Sequence, residues 1–236
     1  MDAATCWEGQ AGDWVALKDR VTYLSRAQVL SMAVALARAV PGHYMEFGSY
    51  QGHSVRHLRA ELWRDKLWGR QLGTRIYACD SFRGLPEDYE NLPAGTFATR
   101  VPTLRGIRIV EGFFEDSLTP QLAAEVRRVS LAHLDADLWS STATALSWLT
   151  PLLGPGSLLL FDELLGEDPA EFKALQEWLE ATNIRVAMIA LFGREPSGNG
   201  ERTDRRAIFQ VVGNRQVAKA PPLPPSRVIR RLTRGW

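Results

Sequence analysis

The stretch YMEFGSYQGHS, residues 44–54, decides the fold. A short apolar run reaches Glu46 and Phe47, the chain turns at Gly48 and again at Gly52, and from Ser54 the apolar residues Val55, Leu58 and Leu62 recur at helical spacing. A strand that passes directly into a helix leaves the first helical N–H groups without intrahelical partners and aims them at the crevice beyond the strand end. Glycine at such a turn lets main chain approach a ligand closely. The pattern announces a small-ligand cradle, although an ordinary strand-to-helix turn reads the same way.

Glycine spacing separates the ligand classes. A dinucleotide fingerprint is G-x-G-x-x-G, whereas here Tyr50 stands where the middle glycine belongs and the pattern is Gly48-x-x-x-Gly52. A pyrophosphate would meet a tyrosine side chain. A ligand with a carboxylate and an amine, such as the methionine part of S-adenosylmethionine (SAM), fits the turn better, with Glu46 beside it to pair with an ammonium. The segment EFGSYQGHS resembles the first motif of class I SAM-dependent methyltransferases, particularly the small metal-dependent O-methyltransferases of the catechol type. That resemblance implies that Tyr50 and Ser54 hold the SAM carboxylate and that the backbone of Gly48 and Ser49 lines the same pocket.

At 236 residues and 45% hydrophobic content, the chain can bury the core of one α/β domain. A formal net charge of +1 argues against nucleic acid as a partner, because phosphate binding leaves a basic excess. Cys6 and Cys79 are the only cysteines, which argues against a disulfide framework and for a reducing cytoplasm. The first ten residues lack the basic-then-apolar order of a signal peptide, and the best apolar run, Val29 to Val40, is too short to span a bilayer. No membrane partner is expected.

Working outward, Ser25 and Gln28 form a capping-box signature for a helix stopped by Pro41-Gly42. Residues 1–40 read as an N-terminal helical or lid segment whose tryptophans suit a homodimer contact. Strands are expected at 75–79, 106–110, 129–134 and 157–161, separated by helices or an irregular excursion over 87–104. Ser140-Ser141 read as a helix cap, and Asp168-Pro169-Ala-Glu171 as a second capping box. The strands expected at 184–192 and 206–212 are joined by a loop too short for a crossover helix, so they pair antiparallel. Residues 41–214 form the main domain and 215–236 a proline-rich basic tail.

Ligands of open parallel sheets bind beyond the carboxyl ends of the strands, and these expected ends carry Glu46, Asp80, Glu111, Asp135 and Asp162-Glu163. An acid at Asp80 can accept both hydroxyls of a ribose, or simply cap a turn. Phe82, after Ser81, covers an adenine face or plugs the core. Asp135 and Asp162 fall on strands separated by one helix, so their side chains can converge. Clustered carboxylates repel unless protons or a cation intervene, and oxygen ligands favour Mg²⁺ or Ca²⁺ over zinc.

The runs CDSFRGLPE, EGFFEDSL, LDADLWSSTATAL and GPGSLLLFDE together resemble the macrocin-type sugar O-methyltransferases that modify natural products, over residues 43–163 or so. The resemblance implies a Rossmann-like class I methyltransferase fold, a seven-stranded mostly parallel sheet with the last strand antiparallel and helices on both faces. It also implies that Gly112 and Phe113 approach the adenine and that Asp135, Asp162 and Glu163 bind Mg²⁺, although Glu163 departs from the usual Asp or Asn. The expected activity is transfer of a methyl group from SAM to a hydroxyl of a sugar, polyol or catechol. Catechol-type enzymes place a lysine three residues after the metal aspartate, where this chain has Leu138. His53 and His133 are therefore the candidate bases beside Asp135, since neutral imidazole takes a proton near pH 7. His53 can instead touch SAM, His133 can be a satisfied strand residue, and Asp137 reads as a helix cap. Alternatives are a metal-independent methyltransferase, a non-catalytic SAM-binding protein and, against the glycine spacing, a nicotinamide dehydrogenase.

Overall fold

The computed structural model describes residues 22–67, 73–89, 91–165, 170–193 and 205–214. The N-terminal segment before residue 22, the Asp168-Pro169 cap, most of the 193–204 loop and the basic tail lie outside them. The chain runs through β1 (Thr22–Tyr23), α1 (Arg26–Ala37), β2 (His43–Phe47), α2 (His53–Leu67), β3 (Ile76–Asp80) and β4 (Arg108–Glu111). It continues with α3 (Phe114–Ser117), α4 (Pro120–Val126), β5 (Val129–Leu134), α5 (Trp139–Leu149), β6 (Leu158–Leu165), α6 (Ala170–Ala181), β7 (Ile184–Gly193) and β8 (Arg205–Asn214).

The sheet order is β1-β7-β8-β6-β5-β2-β3-β4. Every pairing is parallel except those of β8, which runs antiparallel to both β6 and β7. These are the seven strands expected, joined at one edge by the two-residue β1, which is too short to carry a periodicity signal. The chain proceeds outward from β2 to β3 and β4, then returns to place β5 on the other flank of β2. That reversal between β2 and β5 is where an open parallel sheet leaves a crevice.

The core lies on both faces of the sheet. On one, Val29, Leu30, Ala33 and Val34 of α1 pack with Val55 and Leu58 of α2 against Tyr44, Leu131 and Leu160. On the other, Leu146 and Leu149 of α5 and Phe172 and Trp178 of α6 pack against Met45, Phe47, Leu134 and Phe161. The Ser25 box forms as expected: its hydroxyl accepts from the Gln28 amide while the Gln28 side chain accepts from the Ser25 amide. α1 is thereby a fixed layer of the core.

Two local expectations need correction. α5 starts at Trp139 after an N-cap Leu138 that offers no side-chain cap, so neither Ser140-Ser141 nor Asp137 caps it. The Ser140 hydroxyl instead donates to Glu87, tying the 87–104 segment to the helix. Secondly, β6 does not end at Asp162-Glu163 but continues to Leu165, and its register against β8 shifts between Phe161 and Leu165. Both acids sit at this irregularity, where β8 keeps the strand going beyond the point at which its parallel neighbour β5 has ended.

Candidate active site

A cavity of about 300 Å³ opens at the carboxyl edge of β2, β3 and β5. Gly48, Tyr50, Asp80, Ser81 and Phe113 line it on one side, and Arg26, Asp135, Asp137 and Glu163 on the other.

Both diagnostic glycines are required first by the protein itself. Gly48 has φ +90°, and a Cβ there would lie 1.9 Å from the carbonyl oxygen of Asp135. Its amide donates to Cys79 at 2.9 Å and the Asp135 amide donates to Phe47 at 3.0 Å, so the chain leaves β2 clamped between its two neighbours. At Gly52, φ is +78° and a Cβ would strike Leu104 at 2.6 Å. Main-chain closeness therefore serves the crevice by bringing its walls together.

Asp80 anchors the cofactor side. One carboxylate oxygen accepts from the Tyr50 amide at 2.6 Å and the other from the Phe82 amide at 2.7 Å. Tyr50 and Phe82 both adopt left-handed backbone, with φ 45° and 54°, a conformation costing non-glycine residues roughly 1 kcal/mol or more. The strain turns both N–H groups onto one carboxylate. Each oxygen keeps a second lone pair, and Asp80 lines the cavity, where vicinal hydroxyls can donate to it. Ser81 fixes the same turn: its hydroxyl donates to the Gly84 carbonyl and accepts from the Arg83 amide. The aromatic edge of Tyr50 meets Phe97 with ring centroids 6.2 Å apart at the cavity mouth.

The remaining cofactor-side expectations separate. Phe113 lines the cavity, while Gly112 lies behind it and donates its amide to the Asp80 carbonyl at 3.0 Å. Phe82 is buried in the core and is not part of the lining. Ser49 and Ser54 are buried just under the turn, and the Ser49 hydroxyl has no hydrogen-bond partner among the described residues. An unsatisfied buried hydroxyl beside a strained turn suits a ligand carrying hydrogen-bonding groups. Glu46 is 1% exposed and faces His133, so it lies beneath the cavity and meets no ammonium there. His53 is exposed at the start of α2, its imidazole 3.4 Å from the Gln51 side chain, and is likewise outside the lining.

At the β5–β6 end the acids are already joined by cations. The Arg26 guanidinium bonds Asp135 through one terminal nitrogen, while its Nε lies 3.4 Å from Asp162. Arg206 donates to the same Asp162 oxygen at 2.6 Å. His133, fully buried, has Nδ1 3.5 Å from Glu46 and Nε2 3.8 Å from Asp162, at ion-pair rather than hydrogen-bond separation. Burial pushes the His133 imidazole down, but Asp162 and Glu46 outweigh it and raise it above the usual histidine value. Burial pushes Asp162 up, yet His133, Arg26 and Arg206 hold it well below the usual carboxylate range. His133 is fully buried between two acids and does not line the cavity, which removes it from the role of base for substrate.

These residues do not fit a divalent cation as arranged. No group of three or more His, Cys, Asp or Glu among the described residues is placed to hold one. Asp135 and Asp162, the two aspartates expected to ligate, are instead bridged by the Arg26 guanidinium, and Asp162 is held by Arg206 as well. The Mg²⁺ expected from the acids in the sequence had no way to reckon with arginines arriving from α1 and β8.

Glu171 escaped the sequence reading as a site residue. Assigned there to a capping box, it is 1% exposed and accepts from the Ala136 amide at 3.4 Å and the Glu163 amide at 3.1 Å. It clips the loop after β5, which carries Asp135, to Glu163 of β6. Burial, followed by the charges of Asp162 and Asp137, pushes its carboxyl well above the usual value, against the pull of its two backbone donors. The only signal in the sequence was an acid on what proves to be the buried face of α6.

A mostly parallel sheet with a reversed final strand and a cleft at its β2–β5 switch point defines a class I methyltransferase fold. A family model described as a methyltransferase domain matches residues 45–164, a little over half of the chain. The chain belongs to that methyltransferase-domain family. It is 29% identical over 175 residues to the 8-demethyl-8-(2,3-dimethoxy-alpha-L-rhamnosyl)-tetracenomycin-C 4'-O-methyltransferase of Streptomyces olivaceus, covering 64% of each chain. Among solved structures it is similar to the calicheamicin methyltransferase CalS11, with TM-score 0.59, 22% identity and coverage of 78% and 77% of the two chains. It is also similar to the O-methyltransferase NovP, with TM-score 0.59, 19% identity and 79% of each chain covered. Among the described residues, no helix is long and apolar enough to cross a membrane.

Proposed function

We propose that this protein is a SAM-dependent O-methyltransferase that methylates a hydroxyl of a sugar carried by a natural product. The observation that carries the reading is Asp80, pinned by the Tyr50 and Phe82 amides and lining a cavity that Asp135, just past the end of β5, lines as well. Asp80 takes the ribose hydroxyls, Phe113 lies along the adenine, and the Gly48–Tyr50 turn with Ser49 receives the methionine end. In this reading the sulfonium methyl points toward Asp135. The deoxysugar specificity in the name of the Streptomyces olivaceus relative supports a sugar hydroxyl as acceptor.

In the reaction, an acceptor oxygen lone pair attacks the methyl carbon, and the C–S bond electrons pass to sulfur, converting the sulfonium to a neutral thioether. The hydroxyl proton goes to Asp135, which is 18% exposed and lines the cavity, and from there to water. The chain supplies alignment in line with the methyl and exclusion of water. The Mg²⁺ assistance suggested by the acid pattern is not part of this reading, because Arg26 and Arg206 already bridge or neutralise the two aspartates.

Calorimetric titration with S-adenosylhomocysteine (SAH) and with NAD tests the cofactor. Methyl transfer from labelled SAM to a panel of rhamnosides, other glycosides and catechols tests the acceptor. SAH binding with glycoside labelling is expected; NAD binding without SAH binding would overturn the reading, and labelling of catechols alone would overturn the sugar.

A further inference from the structure

We infer that Arg26 is a catalytic residue, its guanidinium supplying at the acceptor end of the cleft the positive charge that a divalent cation would otherwise bring. The inference rests on the methyl-transfer reading above and adds to it the group that handles the acceptor oxygen.

Arg26 is the first residue of α1, and the Ser25 box fixes where that helix begins. Because α1 packs on the sheet through Val29, Leu30, Ala33 and Val34, its first residue is delivered to the edge of β5 and β6 with little freedom. The guanidinium then does two things at once. One terminal nitrogen bonds Asp135, just past β5, and Nε lies at ion-pair distance, 3.4 Å, from Asp162 of the neighbouring β6. The side chain nonetheless stays 37% exposed and lines the cavity. A guanidinium has five N–H donors in a rigid plane, more than its two acids consume, so donors remain for an oxygen arriving beside Asp135.

Charge completes the argument. Asp162 has Arg206 as a second cation, so Arg26 is not needed merely to neutralise it. Asp135 has no other cation within salt-bridge distance among the described residues. Arg26 therefore binds the acid on the cavity wall while lining the cavity itself. As the acceptor hydroxyl gives its proton to Asp135, negative charge grows on the attacking oxygen. A preorganised guanidinium stabilises that charge without reorganising, in the manner of other fixed donors.

The test uses metal-stripped full-length protein, with SAH, Mn²⁺ and p-nitrophenyl α-L-rhamnoside as probes. The wild type is expected to bind no Mn²⁺ at millimolar concentration by electron paramagnetic resonance and to keep its turnover in excess chelator. Arg26→Met is expected to lower turnover about 10²–10³-fold while SAH affinity by calorimetry stays within a factor of roughly three. Arg26→Lys, which keeps charge but loses the planar fork, is expected to fall between the two. Stoichiometric Mn²⁺ binding by the wild type, loss of its turnover on chelation, or full turnover of Arg26→Met would each overturn the role of Arg26. Failure of the wild type to bind SAH would instead strike the methyltransferase reading itself. The chelation and Mn²⁺ measurements need no variant to fold.

Discussion

At the β2–β3 end of the cleft, polar groups are placed by backbone. The Asp80 carboxylate is held by two amide N–H groups from tight turns, and Ser81 by a carbonyl and an amide of its own turn. At the β5–β6 end they are placed by side chains from far along the chain. Arg26 reaches Asp135 across 109 positions, Arg206 reaches Asp162 across 44, and Glu171 reaches the Ala136 amide across 35. Backbone donors are neutral and suit a nucleoside recognised by hydroxyls. Long-range ion pairs concentrate charge, which suits the end where, in the proposed reaction, a proton leaves and an oxygen attacks. One cleft thus has a hydrogen-bonding end and an ionic end, and each should fail in its own way.

The sharpest break is expected at the ionic end. Asp162→Ala strips its 2.6 Å partner from the buried Arg206 guanidinium, while Arg26 keeps Asp135 and His133 keeps Glu46, and should cost about 3–5 kcal/mol of stability. Urea unfolding measures it, and a change below about 1 kcal/mol would mean that the cations find other partners.

At the hydrogen-bonding end, Asp80→Asn keeps the shape but turns an amide NH₂ toward one of the two backbone donors. The loss should be about 1–3 kcal/mol, read as a drop of roughly tenfold or more in SAH affinity. SAH calorimetry would then separate the two ends, because loss of affinity is expected here and not in Arg26→Met.

The smallest expected effect is one of pH. The folded state raises His133 above its ordinary value of 6.5, so it binds the proton more tightly than the unfolded chain does. The stability this contributes is fully present below that ordinary value and is lost as pH rises through the raised one. Unfolding midpoints of the wild type should fall across that window relative to those of His133→Gln. Parallel curves for the two proteins would show that His133 is neutral where it lies.

What the sequence disclosed follows the same division. The Gly48 turn, the acid ending β3, the Ser25 box and the antiparallel closing hairpin were legible because each is a local pattern with a period or a spacing. The glycines were read for the right place and an incomplete reason, since the Asp135 backbone at Gly48 and the left-handed φ at Gly52 demand them before any ligand does. Glu171 reads as part of a cap because its sequence neighbourhood is that of a helix start, and nothing local reveals that its carboxyl reaches the Ala136 amide beyond β5 and the Glu163 amide of β6.

By itself, the sequence determined the order of strands and helices, the antiparallel closing pair, and the positions of acids at the strand ends. These depend on backbone periodicity and on turns, which neighbours in the chain dictate. Only the tertiary structure decided what those acids do. The charge of a carboxylate is settled by which cations fold against it, and Arg26 and Arg206 reach Asp135 and Asp162 from α1 and β8, elements brought there by packing of the core rather than by any nearby spacing.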